Sequence, residues 1–71
     1  MITSDPSIFG TALRTRRQAL RLTQDEVAEV IGVNRRVVGE LERGKGTVRL
    51  EIALAAARAV GLDVALQARS R

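Results

Sequence analysis

Seventy-one residues with 45% hydrophobic content make a single small globular domain, and one aromatic residue, Phe9, leaves its core to Leu, Val, Ile and Ala. Twelve basic residues against eight acidic ones give a net charge of +4, and eleven of the twelve are Arg, whose planar fork suits phosphates and guanine edges. The absence of Cys excludes disulfides and thiolate metal sites, no apolar run approaches the roughly twenty residues of a membrane span, and no signal peptide is visible, so a cytoplasmic protein is expected.

In chain order, Ser4-Asp5-Pro6 reads as a helix start, with a capping side chain just ahead of a proline at the first helical position. Phe9, Leu13 and Leu20, with Ala12 and Ala19 beside them, recur at helical spacing, so the helix is expected to run to Leu20 with Arg14, Arg16, Arg17 and Arg21 around it. Thr23-Gln24-Asp25-Glu26 matches a capping box, and Val27, Ala28 and Ile31 face one way until Gly32 ends the second helix. Asn34 caps a third helix, with Val38 and Leu41 pointing inward and Gly44 stopping it. After a loop through Thr47, Leu50, Ala53, Leu54, Ala57 and Val60 line a fourth helix that Gly61 closes.

Residues 62–69 change period. Leu62, Val64, Leu66 and Ala68 alternate with Asp63, Ala65, Gln67 and Arg69, which predicts one strand in a chain with no second strand to pair it. A lone strand leaves its backbone groups unsatisfied. Pairing with the same strand of a second copy, in a two-fold homodimer, answers this; the alternative is a frayed tail. A small aliphatic core also makes oligomerisation a natural supplement. The domain is therefore expected to span 1–71, with a core at 7–61, a dimerisation strand at 62–69 and mobile ends at 1–4 and 70–71.

Two helices of eight to ten residues joined at Gly32-Val33 fit a helix-turn-helix, in which the second helix enters the major groove of DNA. The run LTQDEVAEVIGVNRRVVGELERGK resembles the XRE/Cro/phage-repressor family of such domains. Thr23-Gln24, Val27-Ala28, Ile31-Gly32-Val33, Val38, Leu41 and Glu42-Arg43-Gly44 carry that resemblance, which covers about Phe9 to Leu62. Thr47-Val48-Arg49-Leu50, the end of the following helix at Val60-Gly61-Leu62 and the strand after it are similar to HipB-type antitoxins.

The resemblance implies a mainly α, lambda-repressor-like domain of four to five helices, with a short C-terminal β-strand paired across a homodimer. It implies a sequence-specific repressor of its own toxin–antitoxin operon, binding an inverted-repeat operator and neutralising a HipA-type kinase toxin. Leu62, Val64, Ala65, Leu66, Gln67 and Ala68 would supply the dimer strand. Such a protein would be bacterial and nucleoid-associated when bound to DNA. Carried over by position, Asn34, Arg35, Arg36, Val37, Gly39 and Glu40 would face the bases, and Thr23, Gln24, Arg43, Lys45 and Thr47 the phosphates. Arg17 and Glu42 would form a partly buried structural ion pair. Glu40 keeps two readings, one accepting from a cytosine N4 group and one turning sideways toward Arg36 or Arg43, with the sideways geometry preferred.

Other functions find little to build on. GELERGKG from Gly39 to Gly46 nearly matches a phosphate loop, but it lacks the final Ser/Thr and a preceding strand. With no His, Cys or Tyr, and with Asp25, Glu26, Glu29, Glu40 and Glu42 in capping or salt-bridge positions, neither an enzyme nor a metal, cofactor or small-molecule site is expected, nor a membrane partner. Two rival readings stand beside the antitoxin: a stand-alone or phage-type repressor without a toxin, and a protein-interaction module whose Arg face meets an acidic partner.

Overall fold

The computed structural model describes residues 5–68 as four α-helices. α1 (Pro6–Ala19) starts as the sequence dictates: Asp5 accepts a hydrogen bond from the Ile8 N–H at 3.0 Å, and proline takes the first turn, where its missing N–H costs nothing. α2 (Gln24–Ile31) begins with a complete capping box. The Thr23 hydroxyl accepts from the Glu26 N–H at 3.0 Å, and Glu26 accepts from the Thr23 N–H at 2.8 Å. α3 (Arg35–Glu42) is capped by Asn34, whose Oδ1 accepts from the Arg36 N–H at 2.8 Å. α4 (Leu50–Ala59) follows a loop and starts without a side-chain cap at Arg49.

The core sits where α1, α2 and α4 meet α3 and one another. Leu13, Val27, Ala28, Val38, Leu41, Ala56 and Val60 are buried in one cluster, with Phe9, Leu22, Ile31, Val33, Val48 and Ile52 half-buried around it. α3 packs on both α1 and α2, and α4 packs on α2. Arg16 ties the far end together by donating from Nε to the Val60 carbonyl at 2.9 Å, where a cation also complements the C-terminal end of α4. No helix among the described residues is long and apolar enough to cross a membrane.

The four helices among the described residues agree with the four to five expected, but several other expectations change. Leu20, expected inward, is 41% exposed because α1 ends one residue earlier and Leu20 becomes its cap. Leu50 is 72% exposed, since it opens α4 beyond the reach of the core. Residues 62–68 follow as irregular chain with one bridge position at Ala65 and no strand, because nothing among the described residues offers a ladder to a segment of this kind. Arg69, the expected end of that strand, and the ends at 1–4 and 70–71 lie outside the described residues.

Candidate nucleic-acid interface

The turn between α2 and α3 is built on Gly32, whose φ of +76° lies in the left-handed region where a Cβ is strained. Its neighbour Val33 donates its N–H to the Ala28 carbonyl at 3.0 Å and packs against the core. This fixes the angle at which α3 leaves α2, and with it the face that α3 turns outward.

That face is basic. Arg35, Arg36 and Arg43 line an open cleft of about 360 Å³ with Gln24, Asn34 and Gly39, and Arg35 and Arg36 are exposed there. Arg35 and Arg36 occupy the first turn of α3, the positive end of its macrodipole, and no acidic residue there offsets them. Each cation so placed costs a few tenths of a kcal/mol in a free helix and is relieved when an anion sits beside it.

Behind the cleft lies a hydrogen-bonded hub. Arg17 donates to Glu42 through Nε (2.6 Å, to Oε2) and Nη2 (3.0 Å, to Oε1), and its Nη1 donates to the Leu22 carbonyl at 2.8 Å. The side chains of Arg17 and Glu42 are 12% and 3% exposed. Gln24 adds a third bond, its Nε2 donating to Glu42 Oε1 at 3.1 Å. An ionised carboxylate only accepts, so it fixes which end of the Gln24 amide turns toward it. Burial pushes the Glu42 carboxyl up, but the hydrogen bonds from Arg17 and Gln24 and the charges of Arg17 and Arg14 outweigh it and hold the group below the usual carboxylate range. The bond to Glu42 correspondingly raises Arg17.

The other residues singled out in the sequence fall into three sets. Thr23 and Asn34 spend their side-chain oxygens on caps, accepting from the Glu26 and Arg36 N–H groups. Val37 is half-buried and Gly39 buried, so neither stands out from the helix as Arg35 and Arg36 do. Glu40 does turn sideways, but toward Lys45 at 3.0 Å rather than toward Arg36 or Arg43. Thr47 is exposed beyond Lys45. Gly44, near the end of the near-match to a phosphate loop, turns the chain at φ +84° after a helix that contains Gly39.

One residue that positions this face drew no notice in the sequence. Gly10, buried within α1, sits directly under the end of α3: a Cβ there would lie 2.3 Å from the Leu41 carbonyl oxygen and 2.7 Å from that of Glu42. A glycine at a core-facing place in a helical pattern was the available signal.

A short capped helix, a glycine turn and a second helix packed on both α1 and α2 define a helix-turn-helix domain. The chain belongs to the helix-turn-helix family, whose model matches residues 13–67. It is similar to an uncharacterized HTH-type transcriptional regulator of Methanothermobacter thermautotrophicus, with 43% identity over 53 residues, 75% of this chain and 77% of that protein.

Proposed function

We propose that this protein is a DNA-binding transcriptional regulator that reads an operator with α3 and grips its backbone from the flanks. The observation that carries the reading is the outward face of α3, with Arg35 and Arg36 exposed against its dipole and Arg43 and Gln24 beside them. Membership of a family with a transcriptional regulator among its similar members supports it. In this reading Arg35, Arg36 and the Asn34 amide meet base edges, where one bidentate Arg–guanine pair contributes about 1–3 kcal/mol of discrimination. Thr23, Gln24, Arg43, Lys45 and Thr47 hold phosphates on either side.

The finer reading is a HipB-type antitoxin, homodimeric through residues 62–69, that represses its own operon and neutralises a HipA-type kinase toxin. Its support is the resemblance of the segment from Thr47 onward and the period-two tail. An apolar groove of about 410 Å³ between Pro6, Phe9, Val48, Leu50, Val64 and Leu66 adds to the case for a partner copy, with Leu50 72% and Leu66 97% exposed beside it.

Binding to duplex libraries at several salt concentrations tests the main reading. Affinity should fall by orders of magnitude between about 50 and 200 mM salt if a dimer neutralises six or more phosphates. Arg36→Ala should relax base preference at one position per half-site, whereas Lys45→Ala should weaken all sequences alike and shallow the salt slope. A chain that binds acidic protein but no duplex at any salt is the interaction module instead. Loss of dimers at micromolar concentration on deleting residues 62–71 checks the tail, and an unchanged sedimentation profile refutes it.

A further inference from the structure

Gly39 stands in the middle of an eight-residue helix, where glycine costs about 1 kcal/mol relative to alanine. The space its missing side chain would fill is bordered by two groups, of which only Arg43 comes closer than ordinary van der Waals contact. A Cβ would lie 3.2 Å from Arg43 Nη1, and 3.7 and 3.8 Å from Gln24 Oε1 and Nε2, with no backbone atom among those neighbours. Gln24 is held in that place, since its Nε2 donates to Glu42, which Arg17 anchors through two further bonds. Arg43 makes no side-chain hydrogen bond or ion pair among the described residues. One N–H of the Gln24 amide and the Arg43 guanidinium thus lie within 4 Å of one point above α3, at the rim of the basic cleft.

We propose that Gly39 is a positioning residue for a phosphate clamp. By leaving its place empty it lets the Arg43 guanidinium close over the helix beside Gln24, so that both donate to the same DNA phosphate. This inference rests on the DNA-binding reading above and reassigns Gly39 from the base-reading set to the backbone-gripping one. A neutral amide fixed by a buried carboxylate sets the direction of approach, and the guanidinium supplies the charge. A phosphate suits the pair because its oxygens can accept from the remaining Gln24 N–H and the Arg43 guanidinium together, and its charge answers a guanidinium that has no carboxylate partner among the described residues.

The test is Gly39→Ala, measured for thermal stability and for binding to a mixed-sequence duplex of about thirty base pairs across a salt series. The expected result is a fold at least as stable as the wild type, about tenfold weaker binding, and a log–log salt slope shallower by about one. Made in an Arg43→Ala background, the same substitution should have little further effect, because the group through which Gly39 acts is already gone. An unchanged affinity and slope in a stable variant overturns the proposal. So does a changed base preference with an unchanged slope, which would put Gly39 at a base. Should Gly39→Ala fail to fold, a double-mutant cycle of Gln24→Ala and Arg43→Ala decides: one shared phosphate predicts that the double variant binds little more weakly than the weaker single one, while fully additive losses of affinity overturn the clamp. Arg36→Ala serves as the control. If the wild type shows no salt-dependent duplex binding and Arg36→Ala changes nothing, it is the DNA reading that falls, and the clamp with it.

Discussion

Two glycines interrupt the helices of this domain, and the structure uses them in opposite ways. Gly10 faces inward from α1 and meets the main chain of α3, so that a Cβ there would fall 2.3 Å from one carbonyl oxygen and 2.7 Å from the next. Gly39 of α3 is covered by side chains rather than by another helix, and meets the tips of Arg43 and Gln24 at 3.2 Å and beyond. The first contact cannot yield without separating two helices. The second yields by a small rotation of a flexible guanidinium. The same residue type therefore contributes to the fold at one place and, through its emptiness, to a binding surface at the other, and each absent methyl group is answered by different neighbours.

Gly10→Ala is the severest way to break that contrast. The atoms it would strike are main-chain carbonyls at the last turn of α3, so relaxation means moving α1 off α3. The cost should exceed the roughly 3 kcal/mol at the upper end of ordinary overpacking. In a domain whose total stability is expected at only several kcal/mol, the variant should be largely unfolded at room temperature by circular dichroism. Gly39→Ala should shift the melting curve the other way. A Gly10→Ala variant that melts within a few degrees of the wild type would mean that the two helices do not approach as closely as described.

The next largest effect belongs to Glu42, which sits at the end of α3 that Gly10 underlies. Glu42→Ala strands Arg17, whose side chain is 12% exposed, and frees Gln24. Removing one partner of a buried pair costs about 3–5 kcal/mol, and the bond that Arg17 keeps to the Leu22 carbonyl places this case at about 3. The exposed pairs Lys45–Glu40 and Arg49–Glu51 should each change stability by less than about 1 kcal/mol when broken. The pH dependence has a definite sign. Glu42 is held below its ordinary value in the folded state, so its contribution is present in full above the unfolded carboxylate value of about 4.3 and is lost as pH falls through the lower folded one. Chemical denaturation of Glu42→Gln should therefore show a flatter loss of stability than the wild type below about pH 4. Parallel curves would take Glu42 out of the acid response.

How much of this was legible in the sequence follows from how local each signal is. Caps and turns are short-range chemistry, so Asp5, the Thr23–Glu26 box, Gly32 and Asn34 could be read before any fold was known. Arg17 and Glu42 lie 25 residues apart, and no periodicity links them; the family resemblance did. Glu40 shows the limit of that help. Its sideways geometry follows from helix spacing, but its partner, Lys45, depends on where the chain goes after Gly44. Leu20 and Leu50 continue the apolar pattern to the ends of their helices, where pattern no longer means burial. Gly10 was illegible for a different reason: its meaning lies in the carbonyls of another helix.

Arg21 extends the comparison to a place where glycine is suited and absent. It is the only non-glycine among the described residues with positive φ, at +58°, and it sits just past the end of α1. The hydrogen bonds there, Arg21 N–H to Gln18 carbonyl at 3.0 Å and Leu22 N–H to Arg17 carbonyl at 3.1 Å, are those of a helix end that ordinarily takes glycine at this position. The left-handed conformation costs a residue with a Cβ about 1 kcal/mol, against which glycine's looser unfolded chain sets a partial offset. Arg21→Gly should therefore stabilise the domain by roughly 0.5–1 kcal/mol in chemical denaturation. Arg21→Ala, which keeps the Cβ and removes the charge, separates the two contributions: it should leave stability near the wild-type value. If Arg21→Ala stabilises as much as Arg21→Gly, the gain comes from relieving charge among the arginines of α1, and the backbone at this turn carries no strain.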